Sequence, residues 1–535
     1  MAEKEKKQSV QTIQTKTRVE KGKSGIASVI FGRTGIIILL ILLQVGFLIA
    51  GYTYLQGKMY FIDSVVKVGA VILVIYLTNN RSNPAFKMVW MTIMLVAPVF
   101  GVLLYIFVEF QVGVRWLNAR LEHMHETTKK HWTQDEAVQE QLKEEDSEVA
   151  SLAHYVCEYG GFPAYENTGV KYFSCGEDKI EELIRQLEKA EKFIFMEYFI
   201  VAKSYVWDRV LEVLKRKAAE GVEVRFMYDG TCTVSLLPPN YPKKLEQEGI
   251  ACRVFSPIRP ALSTHQNNRD HRKIVVIDGK VAFTGGINLA DEYINQRKRF
   301  GHWKDTAVML KGEGVWNMTA MFLYMWGIVT RTDTSLDFGN YVPHRWHPNE
   351  FPGSGYVQPF CDSPLDDEIV GENVYLNIIN RAKNYVYICT PYLIIDNEMM
   401  TALCLAAKSG VDVRIMTPGI PDKKMVFLLT QSYYKQLLEA GVKIYEYQPG
   451  FLHAKSFVCD DKVGVVGTIN LDYRSLYLHF EDGVWMYKND VILDIRDDFT
   501  ETLEYCDPID LAFCQKRNIV VRAIQNVLRV FAPLL

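Results

Sequence analysis

Two copies of one short motif constrain the fold of this chain more than any other feature. The pattern is His-x-Lys-x-x-x-x-Asp, and its copies are His271, Lys273 and Asp278, then His453, Lys455 and Asp460. An Asn follows each His by 17 residues, at Asn288 and at Asn470. Since alternate residues of a strand point to one face, each motif predicts an imidazole beside an ammonium group. One copy alone is typical of an exposed strand edge, whereas two equally spaced copies predict a site for an anionic substrate such as a phosphate.

The pattern around the motifs is also repeated. From about residue 166 the chain alternates strands and helices, and the strand and turn at 221–230 recur closely at 410–419. The two motif His lie 182 residues apart, and prolines and glycines cluster near residue 350. We therefore expect a duplicated α/β protein, with one α/β/α half over 166–350 and a second over 351–535, related by a pseudo-twofold.

Two half-sites suit the chemistry of a phosphodiester. An in-line displacement needs one catalytic group on each side of the phosphorus, and His271 and His453 would supply one imidazole from each half. The non-bridging oxygens would be stabilised by the polar side chains that accompany the two His: Lys273, Lys455, Asn288 and Asn470. These groups do the work that a metal would otherwise do, so we expect neither a metal ion nor a cofactor.

Each catalytic imidazole needs an orienting partner on its second nitrogen. Downstream of each Asn, a carboxylate precedes a Val by three residues, at Asp305 and at Glu481. We predict that Asp305 pairs with His271 and that Glu481 pairs with His453. The alternative is that these carboxylates only cap a strand or lie on the surface.

Five other residues carry weaker signals. Asp278 and Asp460 complete the motifs and stay among the candidate site residues, but a hairpin turn at the far end of the strand favours a structural role. His302 and His479 have no matching spacing, so we expect them to be exposed or satisfied elsewhere. Arg474 follows Asn470 closely and would serve either the substrate or an internal ion pair.

The N-terminal part of the chain differs in composition from the rest. We predict a basic disordered tail over 1–34, a transmembrane region over 35–110 and a charged linker helix over 111–165. Apolar stretches at about 36–55, 60–78 and 88–108 approach the length of about 20 residues that crosses a bilayer. The basic tail favours a cytoplasmic N-terminus, with three spans preferred over two. These features predict a multi-pass protein of the cell membrane.

Overall charge and cysteine usage give no support for a nucleic-acid-binding, zinc-binding or disulfide-stabilised protein. The net charge is −3, which gives no argument for nucleic acid as a partner. The ten cysteines contain no Cys-x-x-Cys pair, so neither a zinc site of that type nor a disulfide framework is predicted.

These motifs resemble those of the phospholipase D superfamily, whose signature is H-x-K-x(4)-D followed by G-[GS]-x-N. Within that superfamily the chain is similar to the bacterial cardiolipin synthases. The resemblance includes the apolar N-terminal segments, the segment 268–279, Gly301 to Thr306, Pro391-Tyr392 and the second motif. Thr468 stands where the family usually has Ser, which keeps the hydroxyl in place.

The resemblance implies a metal-independent phosphatidyl transfer in a lipid bilayer. Phosphatidylglycerol would lose glycerol to form a phosphohistidine, and a second phosphatidylglycerol would attack it to give cardiolipin. By analogy, His271 is the nucleophile and His453 the general acid and then base, although the sequence does not fix this order. Three alternatives stay open: a hydrolase of the same superfamily, another phosphatidyltransferase and an inactive lipid-binding scaffold. The oligomeric state is also open.

Overall fold

The computed structural model describes residues 42–43, 45–46, 49–54, 60–109, 133–258, 267–331, 338–342, 351–366 and 368–534. The predicted tail over 1–34 lies outside these residues, as do half of the first apolar stretch and residues 111–132 of the predicted linker.

The first half is built on a seven-stranded sheet. Its strands run in the order β1-β9-β7-β6-β2-β3-β4. They are β1 (Thr168–Phe173), β2 (Phe193–Tyr198), β3 (Glu223–Asp229), β4 (Ala251–Phe255), β6 (Lys273–Ile277), β7 (Val281–Gly285) and β9 (Ala307–Gly312), with the short β5 (Arg269–Asp270) and β8 (His302–Lys304) outside this sheet.

The second half repeats this sheet strand for strand. The order β10-β19-β17-β16-β11-β13-β14 matches that of the first half position by position, and β20 extends it. The strands are β10 (Tyr356–Asp362), β11 (Tyr385–Cys389), β12 (Leu393–Ile394), β13 (Asp412–Pro418), β14 (Lys443–Tyr447), β15 (Gly450–Leu452), β16 (Ser456–Cys459), β17 (Val463–Gly467), β18 (Leu471–Asp472), β19 (His479–Tyr487) and β20 (Cys506–Ile509). The prediction of two duplicated α/β halves is confirmed.

Helices flank both sheets. Before the first sheet lie α1 (Tyr60–Asn79), α2 (Pro84–Val96), α3 (Pro98–Glu109), α4 (Glu136–Glu145) and α5 (Ser147–Glu158). The first half adds α6 (Gly176–Leu187), α7 (Tyr205–Ala219), α8 (Cys232–Ser235), α9 (Tyr241–Gln247), a 3₁₀ turn (Asp291–Ile294), α10 (Val315–Thr330) and α11 (Phe338–Tyr341). The second adds α12 (Val370–Arg381), α13 (Asn397–Lys408), α14 (Lys424–Glu439), α15 (Tyr473–Tyr477), α16 (Val491–Leu503), α17 (Leu511–Gln515), α18 (Ile519–Val530) and a 3₁₀ turn (Ala532–Leu534).

Both faces of strand β6 are buried, as expected for an inner strand between two layers. Ile274 and Val276 point into a core that includes residues of the second half, such as Val465. Val275 and Ile277 point into a separate core of the first half. One hydrophobic core therefore joins the two halves and holds their sheets in a fixed relation.

Two short strands cross from each half to the other. Strand β5, which precedes His271, pairs in parallel with β19 of the second half. Strand β15, which precedes His453, pairs in parallel with β8 of the first half. The exchange is reciprocal, as a twofold relation between the halves requires.

The N-terminal helices correct one prediction. The stretch expected to span at 88–108 is divided at Ala97-Pro98 into α2 with 13 residues and α3 with 12, because proline removes a backbone donor and ends the helix. Helix α1 carries Asp63 and Lys67 within its 20 residues. Among the residues that the structure describes, no helix is both long and apolar enough to cross a bilayer. The prediction of N-terminal transmembrane helices is therefore wrong.

The end of the predicted linker packs against the body of the protein. Helix α5 is not a solvated element, since Val149, Ala153 and Val156 are almost completely buried. Gln358 of β10 donates to the carbonyl of Ala153 at 3.0 Å. Helix α5 therefore belongs to the core around the second half.

The two motif carboxylates, Asp278 and Asp460, lie at hairpin turns, at the opposite end of each motif strand from the His. Asp278 accepts hydrogen bonds from the backbone N–H groups of 191–193, at 2.7 to 2.9 Å. Asp460 does the same for 383–385, at 2.7 to 2.8 Å. Both adopt positive φ angles, 53° and 51°. Each carboxylate therefore fastens the turn of its motif hairpin to the strand beside it.

We predict that Asp278→Ala lowers the free energy of unfolding by about 2 kcal/mol, because it removes the two carboxylate oxygens that accept three backbone hydrogen bonds and puts alanine at a positive φ. Asp278→Asn keeps one acceptor and tolerates this backbone conformation, so its loss should be smaller. Chemical denaturation of both variants measures the difference. Equal stability of Asp278→Ala and the wild type would contradict the role.

Candidate active site

The crossing strands place each motif His against the opposite half. The backbone N–H of His271 donates to the carbonyl of Phe480 at 2.9 Å, and that of His453 donates to the carbonyl of Lys304 at 2.7 Å. Both imidazoles lie just before their motif strands and line one cavity of about 910 Å³ between the halves. The structure thus brings together the two His that the sequence placed 182 residues apart.

Each imidazole is oriented by a carboxylate of the other half. His271 Nδ1 lies 2.9 Å from Glu481, and His453 Nδ1 lies 2.7 Å from Asp305. The predicted pairing, Asp305 with His271 and Glu481 with His453, is wrong: the partners are exchanged. The exchange follows from the crossing strands, because β5 delivers His271 beside β19 and β15 delivers His453 beside β8.

Both imidazoles are buried, and burial lowers their pKa values, which favours the neutral form. Burial lowers the pKa of His453 to about 4, and the nearby Lys455 adds to this effect. Burial likewise lowers the pKa of His271 well below its usual value. The pKa of Glu481 lies below its usual range, since its interactions with His271 outweigh the effect of burial. With Nδ1–H donated to a carboxylate, each neutral ring leaves Nε2 as an unprotonated nitrogen.

The two motif lysines are also buried. Burial lowers the pKa of Lys273 to about 8 and that of Lys455 to about 7. Each ammonium group donates to the backbone carbonyl of the His two residues before it. Lys273 also lowers the pKa of His453 and of Lys455 in the other half, so its positive charge acts on both half-sites. Neither lysine is among the residues that line the cavity, but two buried positive charges beside the motif His favour a negatively charged group there.

The two motif Asn line the cavity, but their amides already have structural partners. The Asn288 oxygen accepts from the backbone N–H of Ile200 at 2.9 Å, and its amide donates to the hydroxyl of Tyr293 at 2.8 Å. The Asn470 amide donates to the hydroxyl of Ser475 at 3.0 Å. These contacts place Asn288 and Asn470 as residues that hold the cavity wall.

Gly286, two residues before Asn288, leaves room for the carboxylate of Asp305. A Cβ atom at Gly286 would lie 1.9 Å from Asp305 Oδ1. Gly286 therefore allows Asp305 to reach His453. In the second half the equivalent residue is Thr468, whose hydroxyl accepts from the backbone N–H of Asp482 at 2.9 Å.

The cavity also holds residues that the sequence analysis did not place there, including His479, which was expected to be exposed or satisfied elsewhere. The ring of His479 lies 5.5 Å from that of His271, measured between centroids. Tyr293 and Trp303 contact His453, with ring centroids at 5.5 and 5.4 Å. His302 is exposed and contacts Tyr447, as expected. Arg474 lines the cavity. The repeat gave no signal for His479, because Trp303 takes its place in the first half.

Comparisons with known proteins agree with this site. The family described as "Cardiolipin synthase, PLD-like domain" matches residues 183–318 and 375–503, which contain the two motifs. A cardiolipin synthase from Geobacillus sp. is 34% identical over 504 residues, covering 93% of this chain and 99% of that protein. The chain belongs to the cardiolipin synthase family. Its membership confirms an enzyme of the phospholipase D superfamily.

Other relatives of this cardiolipin synthase family member extend the comparison. An uncharacterised protein from Streptococcus mutans is 51% identical over 462 residues, covering 86% of this chain and 99% of that protein. Residues 68–109 match a second family, described as "Phospholipase_D-nuclease N-terminal". The crystal structure of a phosphatidylserine synthase from Haemophilus influenzae shares the fold, with a TM-score of 0.50 at 14% identity over 68% of this chain and 93% of that one.

We predict that this cardiolipin synthase family member binds a phosphodiester less tightly as the pH rises. Lysine is charged below its pKa, so the charges of Lys455 and Lys273 are present below about pH 7 and pH 8 and are lost above them. Calorimetric titration with dimethyl phosphate, whose charge stays constant, should show affinity falling about tenfold between pH 6 and pH 9.

Lys455→Arg is the matched control for that titration, because arginine keeps its charge throughout this range. Its affinity should fall less between pH 6 and pH 9. A wild-type affinity that does not change with pH would contradict the assignment of the buried ammonium groups to phosphate binding.

Proposed function

We propose that this protein is a phosphatidyltransferase that joins two phosphatidylglycerol molecules into cardiolipin and releases glycerol. The observation that carries the proposal is one cavity holding two neutral, carboxylate-oriented imidazoles from opposite halves, with two buried ammonium groups nearby. Family membership and the names of relatives such as that from Geobacillus sp. support the same reaction.

The first step is transfer of the phosphatidyl group to an imidazole. Nε2 of His271 attacks the phosphorus, and the bond to the glycerol oxygen breaks as His453 donates a proton to that oxygen. Binding of the anionic phosphodiester favours protonation of His453 by offsetting the nearby positive charges. The products are glycerol and a phosphohistidine.

The second step regenerates the enzyme. The neutral His453 removes the proton from the primary hydroxyl of a second phosphatidylglycerol, whose oxygen attacks the phosphorus as the bond to His271 breaks. Lys273 and Lys455 stabilise the negative charge of the non-bridging oxygens in both steps. The reverse assignment of the two His is the alternative.

The cavity wall supports a lipid as substrate. Phe199, Phe300 and Phe451 line the same cavity as the two His, which offers apolar surface beside the charged end. A volume of about 910 Å³ leaves room for more than one phosphoglycerol group. With phosphatidylglycerol as substrate, the protein would act at a lipid bilayer of the cell membrane.

We predict that the purified protein converts phosphatidylglycerol to cardiolipin and glycerol in the presence of EDTA. His271→Ala and His453→Ala should each lower the rate by about 10³-fold or more, because each removes one side of the displacement. Mass spectrometry of the lipid products measures the reaction. In a single turnover with labelled lipid, the wild type should carry label on His271.

His302→Ala is the matched control, since His302 is exposed and outside the cavity. Phosphatidic acid as the sole lipid product would favour a hydrolase. Near-wild-type activity of either His variant would contradict the two-histidine scheme, and label on His453 would establish the reverse assignment.

A further inference from the structure

His479 is a buried residue that the proposed reaction does not use. Its side chain is 10% exposed, and its Nδ1 lies 3.6 Å from Glu481 Oε1, beyond hydrogen-bond distance. Within the described part of the chain, neither nitrogen of His479 has a hydrogen-bond partner, nor does Glu481 Oε1. Buried polar atoms are rarely left unpaired, because their desolvation is then uncompensated. These atoms therefore have capacity to bind a further group.

The position of His479 completes a set of metal-ligating atoms. Ligand atoms of His271, His479 and Glu481 all lie within 4.8 Å of one another. Two imidazoles and one carboxylate, with a fourth side open to the cavity, form a donor set that zinc and neighbouring transition metals prefer over magnesium or calcium. We propose that His271, His479 and Glu481 bind one divalent ion of the zinc class, and that the bound ion inhibits the enzyme.

Inhibition is expected because one of the metal ligands, His271, is also the proposed nucleophile. The inhibitory role therefore rests on the proposed function. A metal on Nδ1 of His271 replaces the hydrogen bond to Glu481, whereas a metal on Nε2 occupies the attacking nitrogen. The nearby charge of Lys273 opposes a dication, and three protein ligands hold it less tightly than four. The site therefore suits reversible occupancy better than a permanent structural ion.

The half-site of His453 does not repeat this set, because Trp303 stands two residues before Asp305 where His479 stands two residues before Glu481. Its ring packs against His453 at 5.4 Å. The inferred metal site is thus present only at the half-site of His271, where His479 accompanies it, among the residues that the structure describes.

Zinc binding to the full chain tests this site directly. Titration against a chromophoric chelator should show one zinc ion per wild-type chain, with an affinity about 100-fold lower in His479→Asn. His302→Asn removes an exposed histidine and should bind like the wild type. His479→Gln, with circular dichroism on every variant, separates lost binding from lost folding.

Equal zinc affinity in folded His479→Asn and wild type, or no binding by the wild type, would overturn the site. Zinc should also inhibit the wild-type transfer reaction and inhibit folded His479→Asn less. Binding that depends on His479 without inhibition would retain the metal site but overturn its inhibitory role. The chelator titration does not depend on the lipid reaction, so it distinguishes failure of this inference from failure of the proposed function.

An independent observation concerns the C-terminal helix α18. Its exposed apolar residues Val520, Ile524 and Val527, with Phe531 just beyond, recur at the spacing of one helix face. The helix is held to the protein by its other side, where Gln525 donates to the carbonyl of Leu428 at 2.9 Å. The apolar face of α18 is thus turned away from the protein.

The basic residues near the apolar face of α18 indicate what this face contacts. Residues 511–535 contain four basic residues and no acidic residue. The following 3₁₀ turn contacts helix α2, on which Leu95 and Val96 are highly exposed, so apolar surface continues beyond α18. A basic helix with one apolar face is typical of an element that lies in the interface of an anionic bilayer. We infer that α18 docks on the surface of such a bilayer.

Hydrogen exchange of the full chain tests this contact locally. Vesicles of phosphatidylserine and phosphatidylcholine should slow exchange in peptides covering 519–531 several-fold. Phosphatidylcholine alone should slow it less. The double variant Ile524→Gln/Val527→Gln should lose the protection, whereas Leu405→Gln, which alters an exposed leucine on α13, should keep it. Equal exchange with and without anionic vesicles, or protection that survives the double variant, would overturn the inference.

Discussion

The reciprocal crossing of two short strands is the interaction on which the site depends. Strands β5 and β15 each leave their own half and pair with a strand of the other, so the chain just before each motif imidazole is hydrogen-bonded to the opposite half. Each imidazole therefore meets a carboxylate that its own half does not contain. A separated half would hold one imidazole without an orienting partner, which gives a physical reason for both copies to remain in one chain.

The same crossing sets the electrostatics of the cavity. Charged groups from both halves are withdrawn from water, and burial shifts the pKa of the imidazoles and ammonium groups downward. Removing such groups from water is costly unless they are paired. Glu481 and Asp305 provide the pairing for the imidazoles, and an anionic substrate would provide it for Lys273. Because Glu481 and Asp305 are engaged by the imidazoles, the buried ammonium groups are placed to stabilise the charge of a bound anion.

Local sequence was sufficient to predict the strands and the duplication, because motif spacing and hydrophobic patterns are properties of short segments. It was not sufficient for the carboxylate pairing. Each carboxylate follows a motif at a similar place, so both pairings satisfy the repeat, and the observed contacts join residues 210 and 148 positions apart. The apolar stretch at 88–108 misled for another reason: its composition suggested one span, whereas Pro98 divides it into two short helices.

Duplication supplies two imidazoles, but the proposed reaction needs them to differ, and the differences lie in residues that the repeat does not preserve. His453 is enclosed by aromatic rings, including Trp303 and Tyr293. His271 faces His479 and the aromatic ring of Phe199. The surroundings of His271 thus include a second polar ring, whereas His453 has Trp303 at the equivalent position. A search confined to matching spacings finds the shared machinery and misses the residues that give each histidine its own surroundings, because those residues are the ones in which the two halves have diverged.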